Sequence, residues 1–271
     1  MTIKPKLELN AHLDQIFGIV DLGELGKSTQ PATHALVLMI RGLFSKWKHI
    51  IAYYFIRNTV ARDILCQIII RASEIIHNAG FKIIGVVFDQ EPNQMSFLRN
   101  NGISANNSKL ILDKTELSVI LDPPHLLKNT RNNLMNYNIK FGQDQKTAKW
   151  QHLLMLFREE NANSLKLEPR LTAAHLMLNS FSKMRVNYAA QLFSRSVSVA
   201  IRKYVLLEKL PNEALETADF IEEINNLFDM LNTQRINATG YHEPITKFNF
   251  EEKIKILENY HSWTSTWKFE K

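Results

Sequence analysis

A chain of 271 residues with 45% hydrophobic and 22% charged side chains has the composition of a folded globular protein, long enough for two domains that each bury a core. Its single cysteine, Cys66, lies in an apolar run, which excludes disulfides and thiolate-rich zinc sites and favours a reducing, intracellular compartment. The net charge of +6 is spread evenly over both halves, so charge alone supports a nucleic-acid partner only weakly.

Strand patterns predominate at the start of the chain. β-rich runs occupy residues 16–22, His34–Arg41 and 50–56. A helical stretch follows over about 59–78, with apolar residues on one face, and Gly80 is well placed as its left-handed terminator. The continuous apolar run 81–88 then predicts a strand buried on both faces of a sheet, which ends at Asp89.

Residues 23–29, GELGKST, resemble a phosphate-binding P-loop only superficially. A P-loop needs four residues between its glycines so that successive N–H groups surround a phosphate, and here there are two. No long helical pattern follows Ser28. These residues therefore predict a polar hairpin.

From about Asp122 onward the strand signal disappears, and long helical patterns predict an α-helical second domain. These patterns cover residues 150–158, 186–207 and 213–232. We therefore predict two domains, 1–121 and 122–271, although no linker composition marks the boundary. No apolar run is long enough to span a bilayer and no signal-peptide pattern opens the chain, so we expect no membrane association.

Two aspartates follow predicted strands and are candidate ligands for a divalent metal. A strand that ends in Asp presents the side chain at the carboxyl edge of the sheet, where Mg²⁺ can be held, and Asp89 is so placed. The alternative is that Asp89 only shapes the turn before Pro92. Asp21 invites the same two interpretations, and a pair of such carboxylates would suit a two-metal site for phosphoryl transfer.

A resemblance to a known family starts at residues 121–133, LDPPHLLKNTRNN. This string resembles the segment of P-element-type DNA transposases and their domesticated THAP-domain relatives in which the catalytic fold gives way to an insertion domain. Further strings match in the same order. Residues 41–55 resemble the family's second and third strands, Asp89-Gln90 its second catalytic carboxylate, and 190–194 and 216–220 two signatures of the insertion domain.

The resemblance implies an α/β fold followed by a mostly α one: an RNase H-like mixed sheet with a crossover helix, then a helical GTP-binding insertion domain. It implies DNA cleavage and strand transfer at transposon ends with GTP and Mg²⁺ as cofactors, and a nuclear location. In that comparison Asp89 is both catalytic residue and metal ligand. Homo-oligomer formation is left open.

The same resemblance places the family's first catalytic aspartate just before residue 1 and its closing glutamate beyond the insertion domain. The first strand is then truncated and the C-terminal end of the second domain is left open as incomplete. Asp21 lies outside the family's metal site and becomes a hairpin residue. With Asp89 alone we expect poor Mg²⁺ affinity and no cleavage by this chain. A decayed copy, a domesticated gene, an incomplete gene model and a non-catalytic nuclear DNA- or protein-interaction module are the alternatives.

The resemblance and the chemistry of guanine together point to residues near the end of the 213–232 helix. Guanine presents two adjacent donors, N1–H and the N2 amine, which one carboxylate can accept, so Asp229 is the expected base reader. Phe228 would stack on the base, and Asn232 would reach the ribose or base edge. The alternative is an ordinary apolar core stripe that includes Phe228 and Leu231.

Matching further family positions adds Arg170, Val186 and Ser194 to the nucleotide site. Arg170 stands where the family usually has lysine, and a guanidinium still binds phosphate, with different geometry. Ser164 lies where relatives often carry an acidic residue, or else is a plain loop serine.

The junction string also contains His125 and Lys128, about one helical turn apart. They could contact phosphate, or they could fix the junction between the domains while Asp122 caps a helix that Pro123 opens.

Overall fold

The computed structural model describes residues 2–12, 14–43, 45–112, 115–162, 166–179, 182–233 and 238–271. Contacts between Cα atoms divide the chain into two compact units, Met1–Leu121 and Asp122–Lys271. Over the described residues, no helix combines the length and the apolar character that crossing a membrane requires.

Strands make up the start of the first unit. They are β1 (Glu8–Asn10), β2 (Gln15–Phe17), β3 (Ile19–Asp21), β4 (Lys27–Pro31), β5 (His34–Arg41) and β6 (Lys48–Ile56). β1 and β2 form an antiparallel pair of their own, and the other four form an antiparallel sheet in the order β4-β3-β6-β5. The single run predicted for 16–22 is wrong, because Gly18 divides it. Gly18 has a φ of +84°, and a Cβ there would lie 1.8 Å from the carbonyl oxygen of Lys6.

The glycine-containing string between β3 and β4 forms a short 3₁₀ turn, Gly23–Leu25, and then enters β4. Asp21 accepts a hydrogen bond from the backbone N–H of Gly23 at 2.9 Å and pairs with Lys27 at 2.8 Å. The Lys27 ammonium lowers the pKa of Asp21. The structure thus confirms a polar hairpin here, with Asp21 as a hairpin residue.

The first long helix, α1 (Arg62–Asn78), connects β6 to β7 (Gly85–Phe88). Its buried face consists of Leu65, Ile68, Ile69 and Ile76. The helix ends as the sequence predicts. Gly80 has a φ of +86°, its N–H donates to His77, and the N–H of Phe81 reaches back to Ile76, which is the Schellman pattern of a left-handed terminator.

A mixed three-stranded sheet completes the first unit. After β7 come α2 (Pro92–Asn100), β8 (Lys109–Leu112) and β9 (Thr115–Leu121), with the strand order β7-β9-β8. β7 is parallel to β9 and β8 is antiparallel to it. One core joins the inner face of this sheet to α1, α2 and the end of β6. The α/β character expected for this part of the chain is confirmed.

The expectation of a strand buried on both faces is wrong. The strand covers only 85–88, and Val87 is 60% exposed beside its cross-strand neighbour Ile120, which is 52% exposed. Phe88, on the other face, is buried against Phe97 of α2. Among the described residues the helices of this unit pack on one face, so a continuous apolar run did not require burial on both.

The second unit is mostly helical. Its helices are α3 (Pro123–Asn136), α4 (Trp150–Ala162), α5 (Ala173–Leu176), α6 (Val186–Leu192), α7 (Arg195–Leu206), α8 (Ala214–Leu231) and α9 (Phe250–Ser265). It also contains a small antiparallel sheet, in the order β11-β10-β12. Its strands are β10 (Asn138–Phe141), β11 (Lys146–Ala148) and β12 (Lys268–Glu270). The predicted loss of strands after Asp122 is therefore wrong in detail, although helices dominate as expected.

The pattern over 186–207 is two helices rather than one. Ser194 leaves helical geometry, with ψ near 153°, and its Oγ accepts a hydrogen bond from the N–H of Val197 at 3.4 Å. This capping begins α7 immediately after α6 ends. The apolar spacing continues across the break because both helices face the same core, so periodicity alone did not show the break.

His152 of α4 is buried, and its Nδ1 lies 2.7 Å from Oγ1 of Thr217 in α8. Burial first, and then the charge of Lys149, lower its pKa below the ordinary 6.5. The unfolded chain therefore binds a proton at this histidine more readily than the folded chain does.

The stabilisation from neutral His152 is present above pH 6.5 and is lost as the pH falls from there towards the lowered folded-state pKa. We expect the melting temperature of the wild type to fall more steeply between about pH 7 and pH 5 than that of His152→Gln, since glutamine does not titrate. Thermal denaturation of both proteins in matched buffers checks this. Parallel pH profiles would contradict it.

Candidate functional site

Asp89 follows β7 at the carboxyl end of that strand. Its side chain is exposed, Oδ1 accepts a hydrogen bond from the N–H of Glu91 at 3.3 Å, and its own N–H donates to Oε1 of Gln94 at 3.2 Å. Gln90, between them, has a φ of +66°. Asp89 thus makes the turn contacts of the alternative interpretation, at the sheet edge where a metal ligand was predicted, and the metal role stays a prediction.

The residues around Asp89 do not by themselves complete a magnesium site. Glu91 is the N-cap of α2: its carboxylate accepts from the N–H of Gln94 at 3.3 Å and from the hydroxyl of Thr59 at 2.6 Å. In the described ranges, no group of three His, Cys, Asp or Glu side chains is placed to hold a metal ion. One carboxylate balances half the charge of Mg²⁺, whose sites in proteins combine carboxylates with water and substrate oxygens.

The start of α3 agrees with the capping interpretation of the junction string. Asp122 accepts from the backbone N–H of His125 at 3.2 Å, its carboxylate lies 2.6 Å from Nδ1 of the same histidine, and Pro123 is the first residue of the helix. His125 is therefore committed to Asp122 in this structure.

Arg131 of α3 is a buried residue to which the sequence interpretation assigned no role. Its guanidinium is fully buried and donates to the backbone carbonyls of Ser182, Lys183 and Arg185, with the bond to Arg185 measuring 3.3 Å. These carbonyls belong to the turn that leads into α6. A signal was present, because Arg131 occupies the helix stripe between Leu127 and Leu134, where an apolar residue is expected.

Two of the predicted nucleotide contacts flank α6. Val186 is the first residue of that helix and is half-buried, and Arg131 holds the turn immediately before it. Ser194 lies at the other end and caps α7, with its Oγ also 3.0 Å from the hydroxyl of Ser196. Eight residues of near-helical chain place the two about 12 Å apart along the axis.

Arg170 lies in the turn that precedes α5, and its side chain is exposed. In the part of the chain that the structure describes, no hydrogen bond or ion pair engages its guanidinium, so the structure leaves it available to an anion. Ser164, the position with the unusual residue in the family comparison, lies outside the described residues.

The other three predicted contacts lie at the C-terminal end of α8. Phe228 is half-buried and lines a cavity of about 420 Å³ whose wall is mainly apolar. That wall comes from α3, α8, α9 and the residues after α9, and on α8 it includes Ile224, Leu227 and Leu231. Phe228 therefore belongs to the apolar stripe of the alternative interpretation and also presents part of its ring to open space.

Asp229 is directed away from that cavity wall, since adjacent helix residues differ by about 100° around the axis. Its Oδ2 accepts from Nδ2 of Asn225 at 2.8 Å and lies 3.3 Å from Nε2 of His242. Partial burial raises the pKa of Asp229, against the opposing effects of His242 and Asn225. Asn232 closes the helix, with its N–H donating to the carbonyl of Phe228 at 2.9 Å.

The structure thus brings Phe228, Asp229 and Asn232 together on one helix end, and it places Val186 and Ser194 at the two ends of α6. α7 packs along α8, and α3 packs against both α6 and α8. Of the predicted contacts, Phe228 is the one that lines the apolar cavity.

Comparison with protein-family models assigns both parts of the chain. Residues 1–102 match the model described as TNP-like, RNase H N-terminal domain, and residues 124–244 match the TNP-like, GTP-binding insertion domain.

Known proteins resemble most of the chain. Human DNA transposase THAP9 is 27% identical over 95% of the chain and 29% of its own length. The Drosophila melanogaster transposable element P transposase is 27% identical over 76% of the chain and 27% of its own length. The chain therefore spans less than a third of these relatives. A solved structure, the Drosophila P element transposase strand transfer complex, shares the fold with a TM-score of 0.76 at 22% identity, over 96% of this chain and 55% of that chain.

The environment of Asp229 generates a prediction for stability. Its raised pKa means that the folded state binds the proton more tightly than the unfolded state, so the ionised carboxylate opposes folding above that pKa. We expect Asp229→Asn to raise the melting temperature near pH 7, and this gain to shrink as the pH falls through the raised pKa towards about 4. Thermal denaturation over pH 4–8 measures the difference. A variant less stable than the wild type at pH 7 would contradict the prediction.

Proposed function

Because this chain belongs to the TNP-like family of P-element-type transposases, we propose that its second unit binds a guanine nucleotide at the C-terminal end of α8 and the ends of α6. The observation that carries the proposal is a half-buried carboxylate, Asp229, next to a partly exposed aromatic ring, Phe228, inside the range that matches the GTP-binding insertion domain.

Asp229 supplies the chemistry that distinguishes guanine from adenine. An ionised carboxylate only accepts hydrogen bonds, and guanine offers it two adjacent donors, N1–H and the N2 amine. Adenine presents an acceptor nitrogen at N1, so the carboxylate would face a lone pair. Partial burial strengthens this discrimination, because an unsatisfied polar group away from water costs about 1–3 kcal/mol.

Phe228 supplies binding that does not depend on the base. Stacking of a base on an aromatic ring contributes roughly 1–3 kcal/mol and tolerates any base, since each has a flat π face. The exposed part of the Phe228 ring borders an apolar cavity, so a stacked base also removes apolar surface from water. Asn232, one turn beyond Asp229, would reach the ribose or base edge.

Residues near α6 and α7 would bind the triphosphate of the nucleotide. Arg170 carries a guanidinium without a protein partner among the described residues, and such a group binds phosphate oxygens in a bidentate manner. Ser194 lies at the N-terminus of α7, where backbone N–H groups and the helix dipole favour an anion. Val186 would contact the sugar or base, and the turn before it is fixed by Arg131.

For the first unit we propose the role that its relatives' names describe, DNA transposition, with DNA as partner, Asp89 as one catalytic carboxylate and the nucleus as location. The described residues do not complete a magnesium site around Asp89. Formation of a homo-oligomer stays a prediction.

Nucleotide choice tests the proposal. We expect GTP to bind about tenfold or more tightly than ATP, since an unpaired buried carboxylate costs at least about 1 kcal/mol. Asp229→Asn should shift the preference toward XTP, because the new amide donates to the extra carbonyl of xanthine. Phe228→Ala should weaken GTP, ATP and XTP by a similar factor, because stacking ignores base identity. Titration of fluorescently labelled nucleotides measures all nine affinities.

Leu231→Ala is the matched control, since Leu231 lies on the same cavity wall of α8 but carries no ring. It should leave the order of nucleotide affinities unchanged. Two results would contradict the proposal: equal affinity for GTP and ATP, or no binding by a protein whose circular dichroism shows it folded. Phe228 and Asp229 would then have a role in helix packing only.

A further inference from the structure

Recognition of guanine by Asp229 leaves one group of the base, O6, without a hydrogen-bond partner. The Watson–Crick edge of guanine carries two donors, N1–H and the N2 amine, and one acceptor, O6. A carboxylate satisfies the donors but has no hydrogen to offer O6. If O6 enters a partly buried site without a donor, it loses its bonds to water, so a complete site needs a donor beside the carboxylate.

Two donors converge on one oxygen of Asp229. Nδ2 of Asn225 lies 2.8 Å from Oδ2, and Nε2 of His242 lies 3.3 Å from the same atom. Among the described residues, no hydrogen bond or ion pair reaches Oδ1. The two oxygens are therefore unequal: one is surrounded by donors and the other is open.

This inequality sets the direction in which guanine would bind. When a carboxylate accepts both guanine donors, the oxygen that faces N1–H lies next to O6, and the other oxygen faces the N2 amine on the far side. O6 needs a donor, so the side of the carboxylate with donors, Oδ2, must face N1–H. Asn225 lies one turn before Asp229 on α8 and stays bonded to the carboxylate. His242 comes from a different segment and approaches from outside the helix.

The segment that carries His242 is fixed by the fold. It is a 3₁₀ turn, Gly240–His242, that packs on α8. Lys253 of α9 is buried and its ammonium donates to the carbonyl of Gly240 at 2.8 Å, while the N–H of Glu243 donates to the same carbonyl at 3.1 Å. The imidazole itself is 58% exposed, so a ligand can reach it. The backbone is thus held in place, and the ring is accessible to a ligand.

Resting on the proposed function, we propose that His242 is a specificity-determining residue of the nucleotide site, whose Nε2–H donates to O6 of guanine. Without nucleotide, Nε2 of His242 lies 3.3 Å from Oδ2 of Asp229, at the distance of an ion pair. When the base arrives, N1–H of guanine takes the place of the imidazole at Oδ2, and the imidazole N–H turns to O6. Both N1–H and O6 of guanine are then satisfied. Adenine has an amino group where guanine has O6, so this group and the imidazole N–H would be two donors facing each other.

A nucleotide altered at one atom tests this role. 6-Thio-GTP keeps N1–H and the N2 amine but replaces O6 with sulfur, a weak acceptor. We expect the wild type to bind GTP about three- to tenfold more tightly than 6-thio-GTP, the factor that corresponds to one hydrogen bond. His242→Ala should weaken GTP by about that factor and bind the two nucleotides equally. His242→Gln, which keeps a side-chain N–H donor, should restore part of the preference.

Two comparisons show whether His242 contacts the base itself or only holds Asp229 in place. ITP lacks the N2 amine, so the ratio of GTP to ITP affinity reports on Asp229 and should not change in His242→Ala. Asn225→Ala removes the other partner of Asp229 and should weaken GTP and 6-thio-GTP by the same factor. Isothermal titration calorimetry provides the affinities for all variants.

The results distinguish this inference from the proposed function. If the wild type binds GTP but His242→Ala keeps its preference for GTP over 6-thio-GTP, the inference is overturned and guanine binding stands. If His242→Ala binds GTP more tightly than the wild type, His242 is a competitor for Asp229 and the inference is also overturned. If the folded wild type binds no GTP, the proposed function itself is overturned.

Discussion

Phe220 of α8 joins the small sheet to the helices of the second unit. It is fully buried, and its ring lies 5.2 Å from the rings of both Phe141 and Trp267, 5.8 Å from Trp263 and 6.3 Å from Phe193. These neighbours belong to the small sheet, to α9 and the residues after it, and to the segment between α6 and α7. Aromatic pairs at such distances each contribute about 0.5–1.5 kcal/mol beyond the burial of their surface. Through this one side chain the sheet and the helices fix the position of α8.

The position of α8 decides what its C-terminal end can do. One face of the first three turns is buried through residues such as Ala214, Ala218 and Ile221, so the helix cannot rotate without moving apolar surface into water. With the helix fixed in this orientation, Phe228 lies at the edge of the apolar cavity. Asp229 lies on the neighbouring face of the helix. Desolvation of this carboxylate outweighs the favourable effects of His242 and Asn225, so the ionised side chain is costly to the fold. Such a cost is typical of residues kept for binding rather than for stability.

Local rules account for the parts of this structure that were predicted correctly. Gly80 and Asp122 are recognised by helix-end chemistry, which involves residues only a few positions apart. The errors arise where distant parts of the chain meet. The strands of the small sheet have three or four residues each, too few for a periodic signal, and β12 joins residues 268–270 to a hairpin at 138–148. Arg131 was assigned no role because the carbonyls that it binds lie more than fifty positions away.

The candidate site shows the same division. Phe228, Asp229 and Asn232 share one helix, so their proximity follows from helical spacing once α8 is identified. His242 could not be found this way, because its place beside Asp229 depends on Lys253, a buried cation whose contacts are the carbonyl of Gly240 and, at 4.0 Å, the carboxylate of Glu243. A lysine in a helix predicts a solvated side chain by composition alone. Its burial places a cationic donor under this turn, and the turn lies over the carboxylate of Asp229. Guanine specificity would then require both elements, since α8 supplies the acceptor and the turn above it supplies the donor.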